Sequence, residues 1–375
     1  MNMGRPTSTD SRGQLAQALL GAPLPQALTD AEGLAMAKRE GVLPLLEAAL
    51  RVSPQWPELP QDFRNALQAE VRQAIGLDLF RRHELSRVAA ALAAGGLRVL
   101  LLKGNALGLW LYPQPHLRVT RDIDLLFASR AEADRAVDLL SPLGYVAEPN
   151  PGRLFFERKS KLLVDGSSRG ELDLHCKLLN APLFSEVFPF DVLWTPAMAL
   201  PGLPPTVRAL APVHALLHAC LNRALDIQAG EPERLKLAWD VHLLVSRLAP
   251  HEWEQLLAVA REKRIAGACM RMFDETRALF ATPFPPPVLS GLQAAMASEP
   301  LDWARLQDWP YMQWQNCRAL PSLALRLRWL YERLFPTTSR LRGRYGDGSR
   351  WRLLLRRFLR GVRLLHRRGP HEHAR

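Results

Sequence analysis

No apolar run in this 375-residue sequence reaches the roughly 18–20 residues needed to span a bilayer. The leading residues, MNMGRPTSTDSRGQ, hold no apolar stretch of the kind a secretory signal requires. They are expected to form a short disordered lead, residues 1–12, into a cytoplasmic protein. Cysteine is scarce: Cys176, Cys220, Cys269 and Cys317 stand far apart and form no CxxC pair. That spacing argues against a zinc knuckle or a disulfide framework and for four buried reduced thiols. No internal repeat is visible. Between Arg318 and Arg375 lysine is absent, while 16 arginines face only three acids, for a net charge of +13. The overall charge is +12, so residues 1–317 sum to −1. The basic pI therefore describes one C-terminal arm and says little about the rest of the chain.

With 48% hydrophobic and 23% charged residues, the chain has the composition of a folded globular protein, and its length suggests more than one domain. Residues 13–94 read as a helical region. Thr29-Asp30-Ala31-Glu32 has the form of a capping box, opening a helix towards Leu50 that Gly41 interrupts. Phe63 to Ala94 is a second long amphipathic stretch, stopped by Gly95-Gly96. Residues 95–199 then change character: an apolar strand at Leu97–Leu102, a glycine turn, a helix ended by Pro113-Gln-Pro115, and a strand at Ile123–Phe127. A helix over Arg130–Leu140 follows, then a hairpin of Arg153–Lys159 with Lys161–Val164, and a strand at Glu171–Leu174. This order predicts a small mixed α/β domain. Pro196–Pro212 reads as a linker. Residues 206–317 form a second helical region, with periodicity over Pro212–Asn222, Leu235–Leu248 and Trp253–Phe280.

The chemistry concentrates in LRVLLLKGNALGLWLYPQPHLRVTRDIDLLF, residues 97–127. Side chains alternate along a strand, so Asp122 and Asp124 face one way while Ile123 and Leu125 enter the core. Two carboxylates at a strand end suit a hard cation such as magnesium. Upstream, Lys103-Gly104-Asn105 closes a strand and opens a helix, where free N–H groups and the lysine charge attract phosphate. In ELDLHCK, Asp173 is expected to be the third ligand, with His175 beside it tuning its carboxyl. Two ions about 3.5–4 Å apart would then serve a phosphoryl transfer, with Asp173 as base. Arg118 offers a bidentate phosphate contact or a brace for an aspartate.

These motifs, LLKGNAL, then LYPQPHLRVTRDIDLL, then ELDLH, resemble the bacterial nucleotidyltransferases of the polymerase-β superfamily, in the branch marked by LLKG, DIDLL and DLH. The likeness extends to the flanking helical regions, through HALLHACLNR and RLKLAWDVHLL, and to the basic tail. It implies an α+β fold with a small mixed-sheet core. It also implies Mg2+-dependent transfer of a nucleoside monophosphate from an NTP such as ATP to an acceptor, with pyrophosphate released. By the resemblance, Asp122, Asp124 and Asp173 hold the metal, and Lys103, Gly104, Asn105 and Arg118 hold the nucleotide. The wider superfamily has Gly-Ser in the turn, whereas Asn105 follows Gly104 here, so the charge of Lys103 is expected to compensate. Two other readings stay open: a catalytically silent member acting as a scaffold through its basic arm, and a toxin-like enzyme that nucleotidylates RNA or protein.

His214 and His218 share the i, i+4 spacing of zinc pairs but lack a third ligand, so packing or nucleotide contact is expected. Asp240 is expected to pair with Lys236. In the arm, residues 318–375, an apolar stripe of Trp351, Leu354, Leu355, Phe358, Val362 and Leu365 opposes arginines. It is expected to pack on the protein's own body or on an acidic partner, with an anionic membrane surface next and RNA last. The membrane reading would place the protein at the periphery of the inner membrane.

Overall fold

A computed structural model describes residues 8–148 and 157–367. The chain opens with helices α1 (Ser8–Leu19), α2 (Ala31–Glu40), α3 (Leu43–Arg51) and the long α4 (Gln61–Ala94). Strand β1 (Val99–Leu101) then leads through α5 (Lys103–Trp110) to β2 (Ile123–Leu126), α6 (Arg130–Leu140) and β3 (Tyr145–Ala147). Next come β4 (Glu157–Val164), β5 (Ser167–His175), α7 (Phe190–Trp194), β6 (Met198–Ala199) and β7 (Val207–Ala209). Helices α8 (Pro212–Ala229), α9 (Leu235–Val245), α10 (Pro250–Glu262), α11 (Ala266–Phe280) and α12 (Pro286–Met296) follow. The chain continues with α13 (Trp309–Ala319), α14 (Leu323–Leu334), α15 (Thr338–Tyr345) and α16 (Arg350–Arg367). This is the α+β architecture that the motif order implies.

The strands form one mixed sheet in the order β3-β4-β5-β2-β1-β7-β6, with β2 parallel to β5 and β1 parallel to β7. Alternation divides its two faces. Val99, Leu101, Ile123, Leu125, Leu172 and Leu174 pack with α4 and α6 in one apolar cluster. Each such buried side chain contributes about 1.5–3 kcal/mol. On the other face Leu100, Leu102 and Leu126 join a larger cluster with the N-terminal helices and with α8 and α9. The acids of β2 and β5 lie on this second face, between the sheet and the helices.

Several local expectations are revised. Helix α1 starts at Ser8, inside the stretch read as a lead. The cap of α2 is Asp30, whose carboxylate accepts from the Gly33 N–H, while the Thr29 hydroxyl turns back to the Gln26 carbonyl. The hairpin joins β4 to β5, with Asp165 and Gly166 at φ +50° and +75° making the two-residue turn that a right-handed strand twist favours. Most of Arg153–Lys159 lies outside the described residues. The stretch read as a linker, Pro196–Pro212, contains β6 and β7; β7 pairs with β1 and carries the sheet on to Ala209. A strand of three residues among prolines leaves too little alternation to read. Trp253–Phe280 breaks into α10 and α11 around Arg264, at φ +56°.

Candidate active site

The parallel register of β2 and β5 sets Asp124 directly beside Asp173, with His175 two residues further along the same face. One ligand atom from each of the three lies within 4.8 Å of the others, and the residues are only 2%, 5% and 3% exposed. Among the described residues they are the one trio of acids, histidines or cysteines so placed. Asp122 sits apart from it. The strand begins at Ile123, leaving Asp122 half-buried in the preceding bend on the wall of the neighbouring cleft.

Buried carboxylates need compensating charge, and each has a lysine. Lys103 Nζ lies 2.6 Å from Asp124 Oδ1, and His175 Nε2 lies 3.1 Å from the same oxygen. Burial works to raise the Asp124 carboxyl, but Lys103 and the His175 ring outweigh it and hold it well below the usual carboxylate range. Across the hairpin, Lys159 stands opposite Asp173 in register and donates to both its oxygens at 2.8 and 2.9 Å. Lys159 also contacts Glu157 at 3.0 Å. Burial, with Glu157 nearby, pushes the Asp173 carboxyl up to about 6, against the pull of Lys159. His175 therefore serves Asp124 rather than Asp173, and its Nδ1 lies 3.9 Å from Glu157 with no hydrogen-bond partner.

Two adjacent carboxylates are hard oxygen donors of the sort magnesium takes. The side chains of Lys103 and Lys159 are 34% and 49% exposed on flexible stems, so both ammonium groups have room to withdraw from an arriving cation. The residues present fit a divalent ion.

Lys103, not Gly104, holds the unusual backbone, with φ +53° at the first residue of α5. A left-handed non-glycine residue costs on the order of 1 kcal/mol, and such strain concentrates at functional sites. Gly104 is needed for close approach: a Cβ there would meet Thr120 Cγ2 at 2.6 Å and Arg118 Nη1 at 2.9 Å. Asn105 Nδ2 donates to the Asp122 carbonyl at 2.5 Å, which braces the strand that carries the acids. Arg118 is 6% exposed and clamps Asp240 through Nε and Nη2 at 2.7 and 2.6 Å, while Nη1 donates to the Val119 carbonyl. The Tyr112 hydroxyl adds a third bond to Asp240 at 2.6 Å. Asp240 thus pairs with Arg118, correcting the expected pairing with Lys236.

A cleft of about 850 Å³ opens over the turn, with Lys103, Asp122 and Asp124 on one wall and Arg121, Arg234 and Lys236 among the cations lining it. Burial and the charges of Arg118, Arg234 and Arg121 push the Lys236 ammonium down to about 7, against the attraction of Asp240. A smaller cavity of about 610 Å³ behind Lys103 is lined by apolar side chains, with His218 and Trp110. There burial lowers the His218 ring to about 3, and its Nε2 has no hydrogen-bond partner. His214 instead meets the Phe188 ring edge-on. Sequence reasoning missed Lys159, Glu157 and Lys236; the alternation of β4 could have placed the first two had its hairpin been read correctly.

The paired strand acids and the lysine-glycine turn are the features on which the sequence resemblance to nucleotidyltransferases rests. Residues 28–281 match the family described as "Uncharacterised nucleotidyltransferase", and the chain belongs to that family. Among solved structures, the chain is similar to an antigenic nucleotidyltransferase-like protein from Paracoccidioides brasiliensis. That likeness has 17% identity and a TM-score of 0.32, covering 55% of this chain and 94% of the other. No curated protein matches. No helix among the described residues is long and apolar enough to cross a membrane.

Proposed function

We propose that the chain transfers a nucleoside monophosphate from an NTP to a hydroxyl-bearing acceptor in a Mg2+-dependent reaction that releases pyrophosphate. The observation that carries this reading is the side-by-side placement of Asp124 and Asp173, with Asp124 on the wall of a cleft that Arg121, Arg234 and Lys236 also line. Asp124 and Asp173 hold the metal, with His175 orienting Asp124 and Asp122 at the cleft wall. When bound, magnesium supplies positive charge against the triphosphate and the leaving pyrophosphate. The turn at Lys103, Gly104 and Asn105 receives the nucleotide, and Arg118 stiffens the turn through its contact with Gly104. Asp173 takes the acceptor's hydroxyl proton as the new oxygen–phosphorus bond forms and the bond to the β-phosphate oxygen breaks.

The test is incubation with each common ribonucleoside triphosphate, labelled on its α-phosphate, together with magnesium and a host lysate. Label should pass to protein, RNA or a small-molecule fraction. No transfer, together with no magnesium-dependent NTP binding, overturns the proposal.

Lys236 is assigned to the triphosphate, and it carries a distinctive pH signature. An arriving polyanion favours its charged form, so NTP affinity should fall about tenfold or more between pH 7 and 9. Lys236→Gln should flatten that dependence and weaken binding about tenfold at pH 7. Stability should move the other way. The folded-state value of about 7 lies below the ordinary 10.5, so the unfolded chain holds more protons between them. Wild-type stability therefore rises with pH across that window, and the burial penalty is fully present below it. Removing the charge should stabilise the fold by about 1–3 kcal/mol at pH 6. Thermal melts and calorimetric titrations over pH check both; an affinity that is flat with pH in the wild type would remove Lys236 from the site.

A further inference from the structure

We propose that the arginine-rich C-terminal helices α14 and α16 are a docking surface for an anionic lipid bilayer. Their sequence is amphipathic, yet the fold leaves the apolar stripes uncovered. Helix α16 buries Leu353, while Trp351, Leu355 and Phe358 are 76%, 57% and 68% exposed. At Trp351, Leu355 and Phe358 the expected packing on the protein's own body is thus not adopted, while the side chains of Val362 and Leu365 lie outside those described. Helix α14 repeats the pattern. It turns Trp329 inward against Cys317 and Leu320, and presents Leu323, Leu327, Leu330 and Leu334 outward at i, i+4, i+7 and i+11. The two helices touch where Arg357 Nη2 donates to the Arg333 carbonyl.

Charge selects the occupant. Helix α16 carries seven arginines and no acid, within a segment of net charge +13. A second copy would bring the same charge to the same face and be repelled. Single-stranded RNA reads through stacked aromatic rings, and it would leave the leucine stripes in water. An anionic bilayer satisfies both chemistries: its headgroups pair with the guanidinium groups while its acyl boundary takes up the leucines, Trp351 and Phe358. No helix needs to cross; the surface lies in the interface.

The test is flotation of the full chain with phosphatidylglycerol-rich vesicles and with pure phosphatidylcholine vesicles. Binding is expected only to the first and should fall at high salt. Trp351→Ser, Leu355→Ser and Phe358→Ser combined should reduce binding by about tenfold or more. These positions are exposed, so the melting temperature should hold. Should that variant melt lower, Arg350→Gln with Arg352→Gln provides the second readout, with weaker binding and a shallower salt dependence. No flotation with anionic vesicles overturns the proposal, as do equal binding to both vesicle types and binding that neither variant weakens. A stable dimer without flotation assigns the surface to a second copy, and RNA binding without flotation assigns it to nucleic acid. Either result also overturns it.

Discussion

Asp124→Asn is expected to abolish nucleotidyl transfer, lowering the rate by about a thousandfold or more. The substitution keeps the shape of the side chain, removes its charge and replaces one acceptor oxygen by an NH2 donor. Asp124 is the most enclosed of the acids, and Lys103 and His175 converge on one of its oxygens. No neighbouring group can replace it at that point on β2. Lys103 keeps partial access to water after its partner is lost, so the variant should fold, and a thermal melt beside the wild type verifies this. Transfer of label from an α-labelled NTP is the measurement, and activity within tenfold of wild type would remove Asp124 from the site. Asp122→Asn discriminates further. A loss as deep as that of Asp124 would place Asp122 in the ligand set, whereas a partial loss would leave Asp124 and Asp173 holding the ion.

Asp240→Ala should destabilise the fold by about 3–5 kcal/mol, the range for breaking a buried ion pair from one side. Both partners are nearly inaccessible, and the carboxylate takes two bonds from Arg118 and one from Tyr112. Burial alone would lower the Arg118 guanidinium; Asp240 outweighs it and keeps the group charged above its ordinary range. Without Asp240 that charge is buried and unmatched. The melting temperature should fall by roughly 4–6 °C. Arg118→Met added to Asp240→Leu should recover much of the loss, because no orphaned charge then remains. A melt of Asp240→Ala close to wild type would show that water or another group already shares the load. The pair also joins helix α9 to the loop that follows α5, so Asp240→Ala should loosen the cleft wall and weaken NTP binding alongside stability.

How much of this was legible in the sequence depended on the range over which each signal acts. Asp124 and Asp173 could be placed because alternation along a strand is fixed by backbone geometry and needs only local sequence. The same holds for α6, whose bounds of Arg130 and Leu140 match the expectation. Asp122 shared the period of two, but the strand starts one residue after it, a boundary that alternation does not set. Lys159 reaches Asp173 through a hairpin register, and that register followed from an Asp-Gly turn at Asp165 that went unread. Arg118 and Asp240 are 122 positions apart, beyond any spacing rule. The glycine turn was found from its charge and its free N–H groups, and the fold adds two features that the sequence does not display. Its strained residue is Lys103, and Gly104 is small because Thr120 and Arg118 crowd it. The stripe of α16 was plain in the sequence, but whether anything covers it depends on the fold of the whole chain.

The two lysines that face Asp124 and Asp173 give the chain its own internal counter-ions. On the proposed reading, folding and metal loading would be separate events, unlike in small domains that a metal nucleates. Stripping divalent ions with a chelator should silence transfer and leave the melting temperature where it was, a contrast that a melt with and without EDTA reads directly. An ion entering alone must dislodge an ammonium group, whereas one arriving on a triphosphate brings negative charge with it. In the proposed reaction that would give the two lysines a second partner: an ammonium that pairs with a carboxylate is well placed to turn to a phosphate.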